Sequence, residues 1–164
     1  HLDAPSHFFE GGATVDQIDL RRCVGPALLV DLSWKKERES ITPHDMERWR
    51  DRLEPGTRLV YRTGWDSMLH DPGYFHDFPV MTIELANWLV ERGVGLVGMD
   101  TPSPASDEST EVHRILLGAG IVIVEELAHL DRLGVEEFIL LVVPLRLVGR
   151  DGSPIRALGL TAEV

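Results

Sequence analysis

The first seven residues, His1-Leu2-Asp3-Ala4-Pro5-Ser6-His7, hold two imidazoles and a carboxylate around one proline. In an extended segment alternate side chains share a face, so the spacing predicts that His1, Asp3 and His7 project together. Imidazole nitrogen and carboxylate oxygen suit zinc, manganese or iron better than calcium or magnesium. A short His-x-Asp pair also arises by chance, and most histidines are surface or hydrogen-bonded core residues. A second half-site lifts this motif above that background: His113 precedes an apolar run, residues 115–124, that ends on Glu125. A carboxylate at the end of an interior strand is expensive unless it is paired or bound to a cation.

The elements that must position these groups are strands alternating with a few helices. Residues 24–32, 57–62, 94–99 and 121–124 are short aliphatic or β-branched runs, expected as strands. Thr42, followed by Pro43 and Asp45, and Thr82, followed by Ile83, Ala86, Leu89 and Val90, are capping residues that open two helices. Pro55-Gly56 and Gly93 stop them. Residues 114–117 are expected as a short helix ended by Gly118 and Gly120, and 127–133 as a turn or short helix. Residues 138–148 are expected as a strand broken at Pro144, and Asp151-Gly152 as a hairpin turn returning through 155–160. The loop 66–79 carries Tyr74, Phe75 and Phe78 just after Trp65; these aromatics either line a pocket for an aryl group or pin the loop to the body. His70 and His76 in that loop are expected to face solvent. Asp100-Thr101-Pro102-Ser103 falls at the C-terminal edge of a strand, where sites gather in α/β sheets, and opens a second loop, 102–110.

Composition narrows the function classes. With 164 residues, 43% hydrophobic and 26% charged, the chain can bury one substantial core, and residues 1–164 are expected as a single domain. A formal net charge of −11 disfavours nucleic acid and anionic membranes as partners. No apolar run reaches the length of a membrane span, and no signal peptide is visible. A single cysteine, Cys23, points to a reducing cytoplasm and to a structural thiol rather than a nucleophile. The absence of a Gly-x-Ser-x-Gly elbow disfavours a serine hydrolase.

The opening motif resembles the end of the His-x-Gly-Thr-His-x-Asp-x-Pro-x-His signature of the cyclase family of metal-dependent hydrolases, which includes kynurenine formamidases and isatin hydrolases. Gly98-Met99-Asp100-Thr101-Pro102-Ser103, the stretch from His113 to Glu125, and Asp151-Gly152-Ser153-Pro154-Ile155-Arg156 resemble its later landmarks, in its order. The resemblance implies a swivelling β/β/α fold of the α/β class, with a mixed, barrel-like sheet and a few flanking helices. It implies that His1 and Asp3 hold one divalent metal, and that Asp3 and Glu125 bridge to a second that His113 completes. Zinc is expected first and manganese next, as one or two ions. His7 is implied as general acid and base. The signature's earlier histidine and Gly-Thr pair do not occur in this sequence, so one further ligand is expected to lie outside it. Glu126 and His129 compete for the ligand roles. Strand alternation puts Glu126 on the face opposite Glu125, and the separation of Glu125 from His113 matches the family pattern. The implied activity is hydrolysis of a small-molecule amide, most like deformylation of N-formylkynurenine, by a homodimer. Ring opening of a cyclic amide such as isatin is one alternative, and metal binding or protein interaction without catalysis is another.

Overall fold

Strands with apolar residues on both faces need cover on both sides, and this chain supplies it by curling its sheet and laying helices along the outside. In the computed structural model, residues 1–106 and 110–161 are described. The strands are β1 (Leu2–Asp3), β2 (Val24–Asp31), β3 (Ser40–Ile41), β4 (Arg58–Arg62) and β5 (Val80–Met81). Helix α1 (Ile83–Glu91), β6 (Leu96–Met99), helix α2 (Glu111–Gly118), β7 (Val122–Val124), β8 (Glu137–Leu141), β9 (Gly152–Ser153) and β10 (Leu158–Leu160) follow. The main sheet has the order β10-β8-β2-β4-β6-β7-β1-β9 and curls into a half-barrel. Its centre, β2-β4-β6-β7, is parallel, and the pairings at both ends are antiparallel. The architecture is the mixed α/β fold expected from the sequence.

Alternation along the central strands splits the interior in two. Val30, Tyr61, Val97, Met99 and Ile123 face α1, α2 and the helix at Pro43–Arg52, meeting Leu85, Leu89, Leu116, Met46 and Trp49. Their neighbours Leu29, Val60, Leu96, Val122 and Val124 face the concave side, with Leu2, Phe138 and Leu140. The predicted helix after Thr82 forms as expected, with the Thr82 hydroxyl accepting from Leu85 N at 3.2 Å. The segment after Thr42 is a 3-10 helix, Pro43–Arg52. Its start is fastened by Asp45, whose carboxylate accepts from Thr42 N (2.7 Å) and Thr42 Oγ1 (2.9 Å) and meets Lys35 Nζ at 2.9 Å.

Burial pushes the Asp45 carboxyl up, but Lys35 and the Thr42 donors more than offset this, so it lies below the ordinary carboxylate range. A folded pKa below the unfolded one gives stabilisation that is complete above the unfolded value, about 3.9, and is lost as pH falls through the folded value. Asp45→Asn is expected to cost about 1 kcal/mol at pH 7. Urea unfolding at pH 7 and pH 3 checks this, the difference between variant and parent shrinking at the lower pH.

Three expectations are corrected. The opening motif is extended only at Leu2–Asp3; Pro5–His7 forms a 3-10 turn, which carries His7 out of line with His1 and Asp3. Gly12 allows that turn, because a Cβ there would stand 2.9 Å from the Pro5 and Ser6 backbone. The strand expected over 138–148 stops at Leu141. Asp151-Gly152 is not a hairpin turn: β9 pairs with β1 and β10 with β8, at opposite ends of the sheet. Local turn propensity at Asp-Gly yields there to strand pairing with the opening motif. Part of the 102–110 loop, residues 107–109, lies outside the described residues.

Candidate active site

Four side chains predicted from sequence meet where β1, β7 and α2 converge. In the antiparallel pairing of β1 with β7, Asp3 lies opposite Ile123. One step further, Glu125 N donates to His1 O (3.1 Å) and His1 N to Glu125 O (3.3 Å). His1, Asp3, Ile123 and Glu125 therefore share a face, and Ile123 shows it to be the helix-covered one. There α2 delivers His113, whose Nε2 lies 3.2 Å from Glu125 Oε1. His1 Nε2 stands 3.1 Å from Glu125 Oε2 and 3.6 Å from Asp3 Oδ1. Ligand atoms of His1, Asp3 and Glu125 all lie within 4.8 Å of one another.

Asp3 and Glu125 are buried, at 3% and 6% exposure. Among the described residues their ion-pair partners are imidazoles alone. The electrostatics show the strain of that arrangement. Burial, then the Glu125 charge, pushes the Asp3 carboxyl up to about 6. Burial also acts upward on Glu125, but hydrogen bonds with His1 and His113 outweigh it and hold that carboxyl below its usual range. The bond to Glu125 raises the His1 imidazole to about 9 against the effect of burial. Among the described residues His113 Nδ1 is buried without a hydrogen-bond partner. The His113 ring is fixed on one side by Phe8, stacked at 4.8 Å between centroids.

His7 stands at the rim. Its Nδ1 lies 2.9 Å from Asp151 Oδ2, and Ala4 N donates to Asp151 O at 2.8 Å, so the β1–β9 pairing sets the dyad. An ionised carboxylate only accepts, so Nδ1 carries the proton, and among the described residues Nε2 makes no hydrogen bond. The bond to His7 holds the Asp151 carboxyl below the ordinary range. Asp151 stood out in the sequence only as a family landmark; its pairing with His7 spans 144 positions and carries no local signal.

Other candidates resolve differently. His129 is exposed, with its backbone N on Asp66 Oδ2, and stands outside the cluster. Glu126 does not face away as strand alternation predicts: its φ is +57°, and its Oε2 lies 3.8 Å from His1 Nδ1. Trp65, Tyr74 and Phe78 are buried against one another, and Trp65 Nε1 donates to Tyr74 O at 2.8 Å, so these aromatics pin the loop. Phe75, His70 and His76 are exposed. Cys23 is buried, which pushes its thiol up to about 11 and leaves it inert.

Asp100 has a structural task at the strand edge. Its carboxylate accepts from Thr63 N and Thr63 Oγ1 and, at 2.6 Å, from Gly64 N, tying the exit of β4 to the exit of β6. Asp100→Ala leaves these donors without their acceptor and is expected to destabilise the fold by about 3 kcal/mol, read from the urea midpoint.

The profile of the cyclase family matches residues 1–106. The kynurenine formamidase of Bacillus cereus (strain ATCC 10987 / NRS 248) is 36% identical over 160 residues, covering 96% of this chain and 72% of that enzyme. Among solved structures, a potential metal-dependent hydrolase with cyclase activity superposes with a TM-score of 0.85 at 29% identity, over 96% of this chain and 75% of the other. Isatin hydrolase A from Labrenzia aggregata does so with 0.86 at 26% identity, over 99% and 72%. Fold and relatives together define a hydrolase. Within that class the chain belongs to the cyclase family.

Proposed function

We propose that this chain hydrolyses the formamide C–N bond of an N-formyl arylamine, and that N-formylkynurenine is its substrate. The identity to the Bacillus kynurenine formamidases supports that choice. The observation that carries the reading is the convergence of His1, Asp3, Glu125 and His113 beside the His7–Asp151 dyad.

The donor set fits a divalent cation. Among the described residues the two buried carboxylates pair only with imidazoles, which leaves them short of positive charge, and His113 Nδ1 has no hydrogen-bond partner. His1, Asp3 and Glu125 would hold one ion, and Asp3, Glu125 and His113 a second, with zinc preferred and manganese next. A cation bound there supplies Lewis acidity toward the formyl carbonyl and lowers the pKa of water. The chain's own groups do the rest. Asp151 holds His7 so that Nε2 takes a proton from the attacking water and returns it to the leaving aryl nitrogen as the C–N bond breaks. Formate and the free arylamine result. Phe8 keeps the His113 ring in place at the back of the cluster.

Likeness to isatin hydrolase supports a second reading, opening of a cyclic aryl amide by the same groups. We further propose that the chain is one catalytic domain that acts as a cytoplasmic homodimer. The exposed apolar side chains Ile139, Leu158 and Leu160 at one edge of the sheet support self-association, and the lone buried Cys23 supports a reducing compartment. Among the described residues no helix is long and apolar enough to cross a membrane.

The test couples elemental analysis of the purified protein to turnover of N-formylkynurenine and of isatin, before and after chelation. Bound metal with chelator-sensitive deformylation is the expected result. Turnover of isatin alone would transfer the assignment to ring opening. Metal without turnover of either would leave a metal-binding protein, and a metal-free protein that still deformylates would sink the proposed centre.

A further inference from the structure

Glu126 occupies a conformation that its side chain does not favour. Its φ of +57° lies in the left-handed region, where a residue with a Cβ is strained and glycine or asparagine is the usual occupant. Strain of this kind persists when the surroundings impose it, and it concentrates at functional positions. Here the surroundings are two backbone bonds just past the end of β7 that cross instead of continuing the parallel ladder: Glu126 N donates to Thr101 O at 3.1 Å and Leu127 N to Met99 O at 2.9 Å.

The consequence for direction is large. A regular strand would send the side chains of Glu125 and Glu126 to opposite faces. The left-handed turn brings both toward His1, Glu125 to Nε2 at 3.1 Å and Glu126 to Nδ1 at 3.8 Å. The second distance is ion-pair range, longer than a hydrogen bond. Among the described residues no other carboxylate stands within 4 Å of Nδ1.

We propose that Glu126 is a positioning residue for His1. Its carboxylate draws the Nδ1–H side of the ring outward and so keeps Nε2 aimed at Asp3 and Glu125. A histidine that binds a cation through one nitrogen is ordinarily oriented by an acceptor on the other. The inference rests on the reading of His1, Asp3 and Glu125 as cation ligands, and it adds a residue that strand alternation had set on the wrong face. It also accounts for a glutamate at a position whose backbone favours glycine.

The test separates the two ideas. The apo protein and its E126G and E126Q variants are titrated with zinc against a chelator of known affinity, and their Tm values are measured without metal. Relief of the left-handed strain raises the Tm of E126G by about 3 °C. Its zinc affinity falls about 10- to 100-fold, because the ring loses the carboxylate that faces its outer nitrogen. E126Q, which keeps an oxygen on the Nδ1 side but not the charge that acts across 3.8 Å, is expected to fall between the parent and E126G. A role confined to stability cannot produce a more stable protein that binds zinc less well. Undiminished zinc affinity in E126G overturns the inference and leaves the centre standing. A parent chain that binds no zinc overturns both.

Discussion

Glu125→Gln is expected to produce the largest loss of any single substitution in this chain. Its two oxygens serve two histidines at once, Oε1 toward His113 and Oε2 toward His1, and the residue is almost wholly buried. Glutamine keeps the volume and removes the charge. It also presents an NH2 group to one of those histidines where an acceptor stood. Asp3 alone cannot compensate, because it leaves one carboxylate where the cluster had two. Lewis-acid stabilisation of several kcal/mol is lost with the cation, and each 1.36 kcal/mol is tenfold in rate. A fall in kcat/KM of about 10³-fold or more is therefore expected, together with metal content near zero by elemental analysis. Full metal occupancy in the variant would show that Glu125 is not a ligand.

The second large effect is expected at the rim. His7→Asn removes the proposed acid–base group while leaving His1, Asp3, His113 and Glu125 untouched. The expected signature is unchanged metal content with kcat down by about 10³-fold, within the usual range for general acid–base catalysis. Asp151→Asn probes the same proton path from the other side. The amide can turn its NH2 toward His7 Nδ1, which favours the tautomer with the proton on Nε2 and disables that nitrogen as a base. A loss of about 10²-fold in kcat is expected, with KM little changed. The double variant should be no worse than His7→Asn alone, since Asp151 acts only through His7. Additive losses would mean that Asp151 has a separate task.

The two groups of residues are expected to differ in their dependence on the proposed cation. The cluster of His1, Asp3, Glu125 and His113 is expected to govern metal content and activity together, whereas the His7–Asp151 dyad is expected to govern activity alone. Measuring both quantities on the same preparations separates a chain that has lost its ion from one that has lost its proton path.

Much of the arrangement was legible along the chain. The spacing of His1 and Asp3 along an extended segment already put them on one face, because alternation is a local property of strands. The positions of β2, β4, β6 and β7 followed from short aliphatic runs, and α1 from Thr82 and the apolar spacing after it. His113 and Glu125 were flagged by a charge that an apolar run would otherwise leave uncompensated.

What remained was decided by contacts between distant segments, whose free energy no local window contains. The backbone pairing of β1 with β7 set Glu125 opposite His1, and β9 claimed the other edge of β1, which is why Asp151 reached His7 instead of making a hairpin. Glu126 turned against strand alternation because its N–H bonds Thr101 O and the next N–H bonds Met99 O, which holds a left-handed residue there. The loop aromatics became an anchor because Trp65, Tyr74 and Phe78, drawn from both ends of the loop, are buried against one another. Residue types and short-range spacing thus determined which groups could do chemistry; long-range strand pairing decided which of them face one another.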